Sequence, residues 1–242
     1  MKKIILGILS ITTIFACSSL KNFDVEDKDY VLESIEYTRD TKINTIGKGM
    51  TIEFESKKIS GKSLVNNFFG GYRIDKNKLV VDGLGVTRMA GSPEEMKLES
   101  EYLNALSSNK NIVKEGERLI LEAQNGMKLV YIKEVDEDKL ENKTFKLINP
   151  EFKEADITIN FQDESIAGKS GVNNYFTTYE IEDNVLLLQT IGSTLMAGDP
   201  KLMDLEFKYL GLLNNAIGIK YENKILTLYT KDNQTLVFEE VK

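Results

Sequence analysis

A single cysteine and no histidine among 242 residues set the chemistry open to this chain. Without imidazole there is no Ser-His-Asp or Cys-His nucleophile, no zinc site that uses His, and no usual general base near neutral pH. What remains is carboxylates, Lys, Tyr, Ser, Thr and amides. Glu99 and Glu206 are the acids that recur in matching surroundings, and Asn66, Asn67, Asn173 and Asn174 are the recurring amides. A lone recurring Glu could act as a general acid or base, but it has no matched partner in both places, which favours a helix-face or a helix–loop bond. The amides could hold a sugar or peptide, or they could satisfy backbone groups in a turn or bulge; the second reading is preferred. Neither G-x-G-x-x-G nor G-x-x-x-x-G-K-[ST] occurs, so no phosphate-cradling loop is expected. No catalytic, cofactor-binding or metal-binding residue is assigned.

Cys17 has a different chemistry. It follows Lys2, Lys3 and the apolar run Ile4 to Ala16. That run is shorter than the ~20 residues that span a bilayer, so it reads as a secretory signal. A small residue directly before the cysteine is similar to a bacterial lipobox, although Ile14 and Phe15 depart from the usual residues. In that pattern Cys17 is lipidated on sulfur, becomes the mature N-terminus and is acylated on nitrogen. The alternative is an ordinary cleaved signal followed by an incidental thiol. The lipoprotein reading is favoured because a lone thiol in an exported chain has no disulfide partner. More than one acyl chain, at ~0.8 kcal/mol per buried CH₂, anchors stably. Ser18 rather than Asp after the cysteine agrees with sorting to the outer membrane of a two-membrane envelope.

Removing residues 1–16 takes away two lysines and moves the formal charge from −7 to −9. The remaining lysines are spread among a larger number of acids, as on a solvated surface. Nucleic-acid binding needs clustered cations and is not expected.

The elements that position these residues are written twice. Gly61-Lys62-Ser63-Leu64-Val65-Asn66-Asn67 returns as Gly168-Lys169-Ser170-Gly171-Val172-Asn173-Asn174. Thr87 to Pro93 returns as Thr194 to Pro200. Met50–Ile132 matches Ile157–Glu239 without a gap at an offset of 107, with roughly 33 of 83 positions identical, which marks a duplicated domain rather than a solenoid unit. The starts of the copies, near Asp29 and Asn142, pair at an offset of about 115, so the first copy holds roughly eight extra residues between Glu33 and Met50, in a loop or hairpin tip. The expected organisation is a signal over 1–16, a lipidated tether over 17–28, and domains over 29–134 and 139–242 joined by a short charged segment.

Within a copy, Thr51-Ile52-Glu53-Phe54 alternates as a half-buried strand. A hairpin turns at Asp75-Lys76-Asn77-Lys78. Ser92-Pro93-Glu94-Glu95 begins a helix with a capping hydroxyl, a first-turn proline and acids at the positive dipole end. Met96, Leu103 and Leu106, with Tyr102 beside them, are expected to face one way along it, as are Met203, Leu210 and Leu213 in the second copy, with Met89 and Met196 filling the core beneath the preceding loop. Asn125-Gly126 predicts a two-residue type I′ turn. Each copy thus reads as about six strands and one helix. The fold class is mainly β (α+β): two tandem small antiparallel β-barrel-like domains, each with one packed α-helix.

The ordered motifs resemble those of the META/HslJ-like domain, a small bacterial envelope-associated module. They are Asn66-Asn67-Phe68-Phe69 with Tyr72, Thr87-Arg88-Met89-Ala90-Gly91, the acidic helix and the final hairpin, all found again in the second copy. The resemblance implies a small barrel with one helix and a role tied to envelope stress, secretion or antibiotic tolerance. It carries no agreed activity. Where the family has cysteines, this chain has Val65 and Gly91, and Val172 and Gly198. If the family's pair is in contact, each of these pairs should be close.

The functional expectation is a non-enzymatic cell-envelope lipoprotein whose domains bind or scaffold, with the membrane as one partner through its lipid and an envelope protein or glycan as another. The runner-up is a carboxylate-dependent hydrolase of cell-wall polysaccharide, which needs a concave pocket holding two acids of shifted titration. A lipocalin-like carrier would need an open apolar cavity, and copies this small should fill their own interiors.

Overall fold

The alternation Thr51-Ile52-Glu53-Phe54 becomes a strand with Ile52 and Phe54 wholly buried and Glu53 exposed. A computed structural model describes Val25 and residues 28–38, 41–108 and 110–241. The signal segment and Cys17 lie outside the described residues.

In the first copy the strands are β1 (Lys28–Glu36), β2 (Lys42–Asn44), β3 (Thr51–Glu55), β4 (Lys58–Lys62), β5 (Asn67–Asp75), β6 (Lys78–Val86), β7 (Lys110–Glu115), β8 (Arg118–Ala123) and β9 (Lys128–Ile132). Helix α1 (Pro93–Ser107) lies between β6 and β7. Consecutive strands from β3 to β9 pair antiparallel, and β1 pairs with both β3 and β9, so eight strands close a barrel. Closure leaves those strands no free edge. Six strands were expected; β4 and β7 are the additions. Each offers the core few apolar groups, Ile59 from β4 and Ile112 from β7. Their backbones join because the ladder needs partners on both sides.

The second barrel repeats the plan with β10 (Thr144–Leu147), β11 (Thr158–Gln162), β12 (Ser165–Lys169), β13 (Asn174–Glu182), β14 (Val185–Leu188), β15 (Gly192–Ser193), α2 (Pro200–Asn214), β16 (Ala216–Glu222), β17 (Ile225–Thr230) and β18 (Thr235–Glu240). Eight of these strands close through the β12–β13 and β10–β18 pairings, while the short β15 adds to β13. Tyr30 pairs with Ile52, and Phe145 with Ile159, which gives offsets of 115 and 107 between the copies. The eight extra residues of the first copy form the β1–β2 hairpin.

Both helices begin as expected. Ser92 accepts from the Glu95 amide, and the Glu95 carboxylate accepts from the Ser92 amide at 2.9 Å. Asp199 caps Lys201 and Leu202. Tyr102 and Leu106, like Tyr209 and Leu213, are fully buried. Met89 and Met196 are not: they are 53% and 52% exposed, contrary to the expected core role, and Met96 and Met203, expected on the face of Leu103 and Leu210, are 37% and 39% exposed. The backbones of Met89 and Met196 are held on the side chains of Asn66 and Asn173, so their thioethers stay outside. The Asn125-Gly126 turn also differs. The Gly126 amide donates to Ala123 and the Ala123 amide to Met127, with Gly126 at φ +83°, which makes a three-residue loop with a left-handed glycine. Asp183-Asn184, both at positive φ, does form a two-residue type I′ turn.

The barrels touch. A Cβ placed on Gly47 would lie 2.7 Å from the Ile217 carbonyl oxygen, so the two backbones meet where only glycine fits. Val31, Ile46 and Ile132 pack with Tyr229 beside this contact. Glu33, nearly buried, accepts from Arg118 Nε at 3.0 Å and from Lys220 of the other barrel. Burial alone would raise its pKa, but the two cations outweigh burial and hold it low. The Asn184 amide oxygen accepts from the Val135 amide at 2.7 Å, tying the linker to the second barrel.

Candidate functional site

The recurring polar residues converge at one place in each barrel. The segment Ser63–Asn66 turns sharply between β4 and β5, with Leu64 at φ +120°. The equivalent Gly171 sits at φ +132°, so the second copy places at this strained bend the residue that tolerates it. The turn aims its donors at the middle of the helix. Glu99 Oε1 accepts from Ser63 Oγ (2.7 Å), the Val65 amide (2.9 Å) and the Asn66 amide (2.7 Å). Glu99 Oε2 accepts from Asn66 Nδ2 at 2.7 Å. Asn66 Oδ1 then accepts from Thr87 Oγ1 (2.9 Å) and the Met89 amide (2.7 Å). One carboxylate and one amide thus clasp helix, turn and loop together.

The second copy reproduces this bond for bond. Glu206 accepts from Ser170 Oγ, the amides of Val172 and Asn173, and Asn173 Nδ2, at 2.7–3.1 Å. Asn173 Oδ1 accepts from Thr194 Oγ1 and the Met196 amide, both at 2.7 Å. Glu99 is 2% exposed and Glu206 8%, so neither reaches a substrate without the clasp opening. Burial works to raise the pKa of each, but the hydrogen bonds from the asparagine, the serine and the backbone outweigh it, and both are lowered. A carboxylate held ionised is a poor general acid, and its lone pairs are occupied, which also spoils it as a base. The arrangement holds the fold.

Of the helix-face and helix–loop bonds left open by the sequence for Glu99 and Glu206, the structure forms the second, and the four asparagines, read as one set, divide into two kinds. Asn66 and Asn173 are buried members of the clasp. Asn67 and Asn174 are exposed, and their backbones bond Thr87 and Thr194. Ser63 and Ser170 were missed, although their recurrence before each Val-Asn-Asn was the available signal. Val65 and Gly91 are in contact: a Cβ on Gly91 would lie 2.6 Å from Val65 Cγ2, and one on Gly198 would lie 2.7 Å from Val172 Cγ1. The valine fills the space above a glycine that admits no side chain.

Barrel interiors are packed with large rings. Phe54, Phe68, Tyr102 and Tyr131 fill the first, and Phe161, Tyr175, Tyr209 and Phe238 the second. A concave acidic basin of about 650 Å³ lies on the second copy, where Glu137, Glu141, Asp163 and Glu180 surround Tyr179. Burial, with Glu134 nearby, raises the Glu137 pKa, and burial beside Glu137 and Asp163 pushes the Tyr179 hydroxyl up to about 12. No helix among the described residues is long and apolar enough to cross a membrane.

Comparison with known proteins gives one assignment. The family model described as META domain matches residues 23–136 and again residues 139–242. No curated protein matches the chain. Among solved structures, a protein from Burkholderia xenovorans determined by NMR is 24% identical, covering 46% of this chain and 85% of its own with a TM-score of 0.41. A DUF4847 family protein from Bacteroides vulgatus is 15% identical, covering 43% of this chain and 95% of its own with a TM-score of 0.32.

Proposed function

We propose, from the premise that this chain belongs to the META domain family in tandem, that it is a lipid-anchored, non-enzymatic envelope protein whose two barrels form a binding or scaffolding body. The observation that carries this reading is the fate of the recurring polar groups. The acid, serine and asparagine common to both copies are spent on an internal clasp, so what the duplication kept at these positions is a fold. Cys17 supplies the anchor. The envelope surrounding it, the outer membrane in a two-membrane cell, supplies the protein or glycan partner.

The test is fractionation of the full-length chain expressed in a bacterium. Processing should end at Cys17, and the mature protein should follow membranes until detergent releases it. Cys17→Ser should leave the precursor unprocessed or free the protein. Unchanged processing and membrane retention of that variant would refute the anchor.

The acidic basin favours a second reading, hydrolysis of cell-wall polysaccharide with Glu137 as acid. It is concave and contains a carboxyl of raised pKa, as general acid catalysis needs. Release of reducing sugar from purified cell wall, lost on Glu137→Gln, would establish it. The first copy carries Ser56, Lys57 and Arg73 where the basin has Asp163, Glu164 and Glu180.

A further inference from the structure

Each half of the joint between the barrels carries a feature that the other copy lacks. In β1, Leu32 pairs with Tyr131 and Ser34 with Val130, so Glu33 is the extra residue of a β-bulge. The equivalent β10 runs against β18 without a shift. Leu32 and Ile35 belong to the core of the first barrel, and the bulge turns Glu33 out of it, toward the second barrel. In β16, Ala216 pairs with Thr230 and Gly218 with Tyr229, so Ile217 is the extra residue of another bulge. The equivalent β7 runs against β8 without one. The carbonyl of this bulged Ile217 is the group that meets Gly47. Gly47 lies in the segment that is longer in the first copy, together with Ile46 and Gly49, and a Cβ on Gly49 would lie 3.5 Å from Val185 of the second barrel. The facing residues are equally one-sided. Glu33 has Ile148 at its place in the second copy, and Gly218, Lys220 and Tyr229 have Asn111, Val113 and Glu122 in the first. Neither barrel carries the other's half, so the contact is heterologous and forms once.

We infer that this joint locks the two barrels into one rigid body, with Glu33 as the charge that closes it, and that loss of that charge frees the barrels to move independently about the short charged segment between them. Two bulges and a lengthened segment, each confined to one copy, converge on the contact, which marks it as built rather than incidental. Its apolar part is small: Val31, Ile46 and Ile132 with Tyr229. Domains joined by a small apolar contact move unless something else holds them, and here charges do. Arg118 of the same barrel and Lys220 of the other both donate to Glu33. Glu222 accepts from Arg118 at 3.1 Å and lies 3.2 Å from Lys220. Lys62 also crosses the joint, to Asp183 at 2.6 Å. With Glu33 neutral, Arg118 and Lys220 keep only Glu222 between them, and Lys220 is left charged in a site largely closed to water. An uncompensated buried cation is strongly unfavourable, and opening the joint returns it to solvent. The lock does not depend on the lipid anchor.

Paired spin labels read the lock directly. In residues 17–242 with Cys17→Ser, Lys97→Cys and Asp204→Cys place labels at equivalent exposed positions of α1 and α2. Pulsed double electron–electron resonance at pH 7 should give one narrow distance distribution. Glu33→Gln should at least double its width. Lys220→Val should do the same: it installs the first copy's residue, leaves Glu33 paired with Arg118 inside its own barrel, and removes only the bond that crosses the joint. Gly218→Asn should also broaden the distribution, because a Cβ there would lie 2.7 Å from the Gly47 amide nitrogen. The first copy carries Asn111 at this position, so a barrel folds with that side chain. Amide spectra that keep the dispersed peaks of both barrels distinguish release from unfolding, and a variant that fails to fold leaves the decision to the other two. A broad distribution in the labelled parent, or a narrow one in any folded variant of the three, overturns the inference.

Discussion

The hydroxyl of Tyr131 lies 3.1 Å from that of Tyr102 and donates to it inside the first barrel. In the second barrel the equivalent of Tyr102 is Tyr209, but the equivalent of Tyr131 is Phe238. The partner there is Tyr175, at 2.7 Å, which stands where the first barrel has Phe68. The buried helix hydroxyl is satisfied from β9 in one copy and from β13 in the other. Both solutions answer the same requirement, because an unpaired buried hydroxyl costs about 1–3 kcal/mol. Tyr131→Phe should therefore destabilise the first barrel by about that amount, and adding Phe68→Tyr should recover most of the loss. Denaturant unfolding of the single and double variants checks this; simple additivity of two losses would show that the copies are not interchangeable.

The clasp predicts a pH dependence. Glu99 and Glu206 have folded pKa values below their ordinary 4.5. Depressed carboxyls contribute stability that is fully present above the unfolded value and lost as pH falls through the folded one. Melting temperature should hold between pH 7 and 5 and drop below about pH 4.5. Glu99→Gln should flatten the first barrel's share of that drop. Glu99→Ala strands four donors and should cost about 3–5 kcal/mol at neutral pH.

Asn66 and Asn67 are neighbours with opposite roles. Asn66→Ala should cost about 2–4 kcal/mol because it removes the Glu99 donor and the acceptor of Thr87 and Met89 together. Asn67→Ala, on an exposed strand position, should stay within about 0.5 kcal/mol. Leu106→Ala, from a fully buried site, should cost about 2–5 kcal/mol. Equal effects of the two asparagine substitutions in thermal melts would contradict the clasp.

Contact of Val65 with Gly91 makes a crosslink testable. In a chain of residues 18–242, free of Cys17, Val65→Cys with Gly91→Cys should oxidise to an intrachain disulfide and add about 2–4 kcal/mol. Gly91→Ala alone should destabilise, since its methyl would meet Val65 at 2.6 Å. Mass spectrometry of the oxidised protein decides the first point, and denaturation the second.

The backbone strain at Leu64 gives a further comparison. Leu64→Gly trades relief of the φ +120° strain against lost packing and should be close to neutral. Gly171→Leu imposes that strain in the second barrel, where a Cβ would also press the Leu202 carbonyl oxygen at 3.3 Å, and should destabilise by about 1–3 kcal/mol. Reversed signs in urea titrations would refute the equivalence of the two bends.

The duplication, the two helix starts and the mainly β class were legible in the residues alone, because each rests on local signals: identity at a fixed offset, Ser92-Pro93 and Asp199-Pro200, and period-two alternation. The contact of Val65 with Gly91 was legible only through family resemblance. Strands β4 and β7 were not legible, since a strand that offers one or two apolar groups is specified by its neighbours' unpaired backbone and not by its own pattern. Met89 and Met196 misled for a related reason. Hydrophobicity says that a side chain gains from burial, but the loop is held by its amides on Asn66 and Asn173, and those bonds leave the thioethers outside. Glu99 shows the division most clearly. Its recurrence was visible in the sequence, yet whether a buried carboxylate is catalyst or clasp depends on how many donors reach it. Those donors come from a turn 33–36 residues away, so only the closed tertiary structure could count them.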